Sequence, residues 1–193
     1  MNRRSIAAGL AGSVAAALLV AAPAATAASS TKAVVCTAGS TSVTWKNVTE
    51  PWVVTHAKRV VRPGTGSTRV LVTVPQIAFV KASVTGGGAP ATVIGSLARK
   101  TGLALAPSGA QTPRKAVVTW SPTRSGSYVL YAGTRRVHGS YVARTCNAHG
   151  TAVTTKSGST TSWTTPLSTG VVLCGAITVP PGGLAAKARS RYC

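Results

Sequence analysis

The stretch GSYVLYAGTRRVHGSYVARTC, residues 126–146, decides the fold class of this chain. In its last part, Tyr141, Ala143 and Thr145 fall on one side of an extended chain, and the residues between them fall on the other. Valine, threonine and tyrosine have branched or aromatic side chains that suit a pleated sheet better than a helix. The pattern therefore predicts β-strands.

The triplet Gly-Ser-Tyr occurs twice in this stretch, at residues 126–128 and 139–141. The two copies bracket Val129–His138, and such a repeat is typical of a β-hairpin with Gly133 near the turn. The repeat therefore predicts two paired strands, Ser127–Ala132 and Val137–Cys146.

The same Val- and Thr-rich pattern extends outward along the chain in short runs separated by Gly and Pro. Only Gly183–Arg191 has a helical pattern. Regular short strands of this kind are typical of a sandwich or barrel. The predicted fold is all-β: an antiparallel β-sandwich, immunoglobulin-like or related, with a short C-terminal helix. The other predicted strands are Ala33–Cys36, Ser42–Lys46, Trp52–Val61, Arg69–Val74, Ile77–Thr85, Thr92–Leu97, Ala116–Trp120, Thr151–Thr155, Thr160–Thr164 and Gly170–Cys174.

Residues 1–27 are predicted to be a cleavable signal peptide. A basic start (Arg3-Arg4) precedes the uncharged run Ile6–Ala22, and Ala25-Thr26-Ala27 supplies the small residues that a signal peptidase needs. An uncleaved membrane anchor is the alternative, but the run is short and rich in Ala and Gly, whereas a span needs about 20 apolar residues.

Residues 28–193 are predicted to form a single secreted β domain. A weak repeat, Ser42–Trp45 with Val117–Trp120, leaves open two β units that divide near residues 106–113.

Four cysteines follow the signal peptide, and in an exported chain an even number indicates disulfides. Of the three possible connectivities, we favour Cys36–Cys146, which ties the first strand to a late one, and Cys174–Cys193, which pins the C-terminal tail. The spacing contains no C-x-x-C pair of the kind that zinc sites use. No metal or cofactor is predicted.

The charge of the chain is strongly one-sided: 21 Lys and Arg oppose the single acid Glu50, for a net charge of +20. Paired-carboxylate chemistry is excluded, and a Ser-His-Asp triad lacks its acid. The histidines, His56, His138 and His149, form no close pair in the sequence. We therefore expect a non-enzymatic protein whose field attracts anionic polymers and weakens in salt.

Aromatic and basic residues interleave between residues 128 and 144, as in surfaces that stack single-stranded nucleic acid or sugars. This pattern makes five residues candidates for polyanion binding. The alternative, which we favour, places the tyrosines in the core and the arginines in solvent. The five candidates are Tyr131, Arg135, Arg136, Tyr141 and Arg144.

The Ala-rich leader, the Val/Thr/Gly bias and the basic tail at residues 185–193 resemble the small secreted proteins of high-GC actinobacteria, many of unassigned function. The resemblance implies a Gram-positive extracellular setting. The strand pattern is also similar to immunoglobulin-like sandwiches, which hold a Cys…Trp…Cys core. Here Trp45 and Trp120 lie between Cys36 and Cys146 at spacings wider than one such domain allows.

The expected function is thus a secreted, strongly basic binding or structural module at the cell surface or in the medium. Its expected partner is an anionic polymer: teichoic acid, a polysaccharide or extracellular nucleic acid. The alternative is a cationic antimicrobial effector or a protease inhibitor, with an inhibitory loop around Pro166–Cys174.

Overall fold

The computed structural model of the protein describes residues 35–66, 68–175 and 179–193, so the predicted signal peptide lies outside the described residues. Within them the chain forms eight strands and two helices, mostly in antiparallel sheets, which confirms the predicted fold class. The elements are β1 (Thr41–Thr49), β2 (Trp52–Arg62), β3 (Val70–Pro75), β4 (Ser83–Gly86), α1 (Pro90–Thr101), β5 (Lys115–Trp120), β6 (Gly126–Cys146), β7 (Val153–Trp163), β8 (Ser168–Leu173) and α2 (Leu184–Tyr192).

Strand β6 organises the molecule. It is 21 residues long. Its first half lies between β2 and β8, and its second half lies between β1 and β7, with β4 beyond β7. Because β6 is continuous, the predicted hairpin at Val129–His138 is wrong. We call β2–β6–β8 the three-stranded sheet and β1–β6–β7–β4 the four-stranded sheet.

Gly133 lies inside β6, where the strand passes from the three-stranded to the four-stranded sheet. A Cβ atom at this position would meet the carbonyl oxygen of Val53 and the side chain of Leu184. The glycine is therefore explained by the close approach of β2 and α2 to β6 and not by a turn.

The three-stranded sheet is covered on both faces. On one face Val129 and Tyr131 pack against Leu184 and Ala188 of α2. On the other face Tyr128 and Leu130 pack against the ribbon formed by β3 and β5, where Trp120 lies. Alternate residues of β6 thus enter two cores, which explains why this part of the strand is apolar on both sides.

Helix α1 occupies Pro90–Thr101, so the strand predicted at Thr92–Leu97 is wrong. Proline at the first position suits a helix start, and Gly102 ends the helix in the left-handed conformation, with φ of 69°. Val93, Ile94 and Leu97 are buried. Burial of this face against the four-stranded sheet outweighs the strand preference of the branched residues.

The remaining strand predictions differ in their boundaries. Of Ile77–Thr85, only Ser83 onward belongs to a strand, β4. Thr151–Thr155 and Thr160–Thr164 merge into the single strand β7. Val35 and Cys36 lie outside any strand, and the start of that prediction lies outside the described residues. The C-terminal helix is confirmed as α2.

Both predicted disulfides are confirmed. Cys36–Cys146 has a Cα–Cα distance of 6.0 Å and Cys174–Cys193 one of 5.3 Å. The first attaches the segment before β1 to the end of β6, and the second attaches the end of α2 to the residue after β8. Disulfides indicate an oxidising compartment.

Strands on the two sides of residues 106–113 pair with one another throughout the described sheets: β1 and β2 with β6, β3 with β5, and β4 with β7. The two halves of the chain are therefore interleaved in these residues. None of the helices described is long and apolar enough to cross a membrane.

Candidate polyanion-binding surface

The two candidate tyrosines are buried. Tyr141 is 2% exposed, and its hydroxyl lies 3.0 Å from the carbonyl oxygens of Thr85 and Gly87. Tyr131 is 8% exposed beneath α2, and burial raises the pKa of its phenol. Neither ring offers a face on which a base or sugar could stack. The tyrosines thus lie in the core, which agrees with the favoured interpretation that only the arginines of this stretch face solvent.

Arg135 is held in a local cluster. Its Nη1 donates a hydrogen bond to Oε2 of Glu50 at 3.2 Å, and its Cζ lies 5.1 Å from the centre of the Trp52 ring. Trp52 faces Arg135 in the β2–β6 register. Sequence reasoning missed this aromatic partner, because residues far apart in the chain become neighbours only through strand pairing.

Glu50 is the single acidic residue of the chain. In the described part, its pair with Arg135 is the one ion pair. Every other lysine and arginine there lacks an acidic side-chain partner, so its charge is compensated only by solvent ions or by a ligand.

Arg144 and Arg136 are exposed on the second half of β6. Arg144 belongs to the outward surface of the four-stranded sheet, which we call the hydroxyl face. Its outward side chains are Ser42, Thr44 and Lys46 on β1, Ser83 and Thr85 on β4, His138, Ser140, Val142 and Arg144 on β6, and Thr155, Ser157, Ser159 and Thr161 on β7. The same side continues at one end with the exposed Arg136 and, opposite it, Trp163, which is 7% exposed.

Alternation along the strands separates this face from the core. Residues opposite one another in an antiparallel sheet point to the same side. On the inner side, Trp45 and Tyr141 pack beside Val93 of α1, and the indole nitrogen of Trp45 donates to Oγ of Ser96 at 3.1 Å. The intervening residues therefore point outward, and most of them are exposed.

Strand register arranges the outward side chains in rows. Neighbouring strands lie about 4.8 Å apart, and alternate residues along a strand are about 6.8 Å apart. The face therefore presents a regular array of small hydroxyl groups. Its rows are Ser42–Arg144–Thr155, Thr44–Val142–Ser157, Lys46–Ser140–Ser159–Thr85 and His138–Thr161–Ser83.

Hydrogen bonds between strands fix part of the array. The hydroxyls of Thr85 and Ser159 are 2.8 Å apart, and Nδ1 of His138 lies 3.0 Å from the hydroxyl of Thr161. A shallow depression of about 490 Å³ lies in the middle, between Lys46 and Ser157. The surface is thus polar and carries positive charge at Lys46 and Arg144.

A second basic region lies at α2. Nζ of Lys187 donates to the carbonyl oxygen of Trp52 at 2.9 Å, and Arg191 lines the same cleft of about 340 Å³. Lys187 and Arg191 are one helical turn apart, so they project from the same side of the helix.

The structure places the three histidines apart, and only His56 is buried. Its Nδ1 lies 2.8 Å from the Thr55 hydroxyl, and its Nε2 lies 2.8 Å from the Pro113 carbonyl oxygen. Burial lowers the pKa of His56, so its ring is held neutral with Nε2 donating. The described residues contain no group of three or more His, Cys, Asp or Glu placed to hold a metal ion.

Comparison of the chain with protein-family models, with curated proteins and with solved structures gives no match.

Proposed function

We propose that this protein is a secreted, non-enzymatic binding module that contacts anionic polymers of the cell envelope or the extracellular medium. The observation that carries the proposal is the set of exposed cations without acidic partners. The one carboxylate side chain is already paired with Arg135, so the hydroxyl face and α2 retain their full positive charge.

The spacing of the cations favours a polymer over a small anion. By sheet geometry, Lys46 and Arg144 are about 14 Å apart, which exceeds the screening length of about 8 Å at physiological salt. A small anion can therefore interact strongly with only one of these two cations at a time. A chain that spans both gains the second contact at high effective concentration.

Secretion is part of the same proposal. It is supported by the basic and apolar leader at residues 1–27 and by the two disulfides, which persist in oxidising compartments. Outside the membrane, a chain with net charge +20 attracts the anionic polymers of the wall and medium.

An inhibitory loop at Pro166–Cys174 has less support. Ser168–Leu173 form β8, which pairs with β6 and is not a protruding loop.

Binding of the oxidised protein to immobilised polyphosphate, measured over a range of salt concentrations, tests the proposal. We expect binding that falls steeply and linearly on a log–log plot, because contacts between cations and the polymer release counterions. The double variant Lys46→Ala/Arg144→Ala should reduce that slope by about two, since each lost contact removes about one.

The matched control is Arg99→Ala/Lys100→Ala, which removes two exposed cations from α1, on the other side of the four-stranded sheet. It should leave the slope nearly unchanged. Absence of binding to any polyanion, or binding that does not respond to salt, would overturn the proposal.

A further inference from the structure

We infer that the hydroxyl face binds an anionic polysaccharide: a sugar chain whose carboxylate or sulfate groups are separated by hydroxyl groups. This inference rests on the proposed function and names the class of polymer.

The chemistry of the outward side chains favours sugars. Each serine or threonine hydroxyl both donates and accepts a hydrogen bond, as do the hydroxyls of a sugar chain. The middle of the face, at Thr44, Ser140 and Ser157, is lined by such groups. A polymer that carries only phosphate acceptors could use the donors but would leave the accepting capacity of the hydroxyls unused.

The charges lie at separated positions of the array. Ser140 lies between Lys46 on one side and Ser159 on the other, and Arg144 lies two rows away. Arginine binds carboxylate or sulfate oxygens through paired hydrogen bonds. Charges with hydroxyls between them match a sugar chain whose anionic groups are separated by hydroxyls, and they match densely charged duplex DNA poorly.

Single-stranded nucleic acid is disfavoured on a separate ground. Its binding sites combine cations with aromatic rings on which the bases stack. The one tyrosine, phenylalanine or tryptophan on the outward side of the four-stranded sheet, whose strands are all described, is Trp163 at the end of β7. It offers no face for stacking because it is 7% exposed and packs against Val80 and Ala106. Tyr141 and Trp45 lie on the opposite, covered side.

The array is also ordered before binding. The Thr85–Ser159 and His138–Thr161 contacts join neighbouring strands, and the side chains are short. Little side-chain freedom is therefore lost when a chain settles on the face, and such preorganisation favours affinity.

The test compares three probes of matched charge: polygalacturonate, polyphosphate and single-stranded DNA. The variant Thr44→Val/Ser140→Ala/Ser157→Ala removes hydroxyls without changing charge. We expect it to weaken polygalacturonate binding about tenfold, since each lost hydrogen bond contributes modestly, and to leave polyphosphate binding within about twofold.

Thr73→Val/Thr119→Val is the matched control, because both threonines are exposed on the β3–β5 ribbon. It should not affect binding to any probe, and equal melting temperatures for all variants would show that the fold is retained.

Each outcome decides between the two proposals. If the hydroxyl variant binds polygalacturonate as well as the unaltered protein, or loses all three probes equally, the polysaccharide inference is overturned while polyanion binding stands. Tighter binding of DNA than of polygalacturonate also overturns it. If none of the probes binds the unaltered protein, both proposals fall.

Discussion

Removing each disulfide separately should destabilise the protein by different amounts, and the difference can be worked out from the loops they close. Cys36–Cys146 spans 110 residues and Cys174–Cys193 spans 19. In the chain-entropy model, closing these loops restricts the unfolded chain by about 4.8 and about 3.2 kcal/mol, respectively. The double variant Cys36→Ser/Cys146→Ser should therefore lose about 1.6 kcal/mol more stability than Cys174→Ser/Cys193→Ser.

The two loops do not overlap along the chain, so their contributions should add. Together they amount to about 8 kcal/mol, which is comparable to the whole stability of a typical domain. The fully reduced protein should consequently be close to unfolded at room temperature. Ion pairs add almost nothing to the stability of a chain with one acidic residue, so they cannot replace the lost disulfides.

Urea unfolding of the oxidised variants, followed by tryptophan fluorescence, measures the two losses. The competing explanation is that Cys174–Cys193 acts through α2, whose Leu184 and Ala188 cover the three-stranded sheet. If removing the shorter loop costs more than removing the longer one, the entropic ordering is refuted, and burial beneath α2 is the dominant contribution.

Two further predictions concern buried positions. Because burial lowers the pKa of His56 below its ordinary value of 6.5, the unfolded chain takes up the proton first. The stability that the neutral His56 contributes is fully present above about pH 6.5 and is lost as the pH falls toward the folded pKa. Melting temperatures measured over this pH range should show the loss in the unaltered protein and in His149→Gln, but not in His56→Gln. Gly133→Ala places a methyl group against Val53 and should cost about 1–3 kcal/mol in urea unfolding, whereas Gly64→Ala, which meets no neighbour, should change stability by less than about 0.5 kcal/mol.

Local pattern was enough to predict most strands but not how they join. A strand that is apolar on both faces and a pair of strands flanking a turn give similar sequences, and Gly133 fits either interpretation. In the structure, Tyr128 and Tyr141 of the repeated triplet lie on one strand and reach different cores. Each ring centre lies 5.5 Å from that of a tryptophan, Trp120 for the first and Trp45 for the second.

Helix α1 was not predicted from the sequence, and the reason is physical. Thr92, Val93 and Ile94 are branched at Cβ and favour strands locally. The helix signals were Pro90 and Gly102, which bound it, but both residues also occur in turns. Only the apolar surface beside Tyr141, which is formed by residues distant in the sequence, makes the helical arrangement the favourable one.

Disulfide formation was predictable from the even number of cysteines and the predicted signal peptide, and the pairing was one choice among three connectivities. The hydroxyl face was not predictable. Its members come from four strands between residues 42 and 161 and become neighbours only through register. The sequence around a serine or threonine on a strand does not indicate which residues of the neighbouring strands will lie beside it.

The scarcity of acidic residues connects stability with the proposed function. Unpaired cations repel one another in the folded chain, and this repulsion lowers stability without any compensating contact. The fold tolerates this repulsion because four buried hydrophobic clusters and two disulfides hold the described strands together. In the proposed function, a bound polyanion would supply the missing negative charge and would bind the folded form, in which Lys46 and Arg144 share one face, better than the unfolded one. If the proposal holds, the feature that weakens the free protein strengthens the complex, so the scarcity of acidic residues is explained for a binding module and unexplained for a purely structural one.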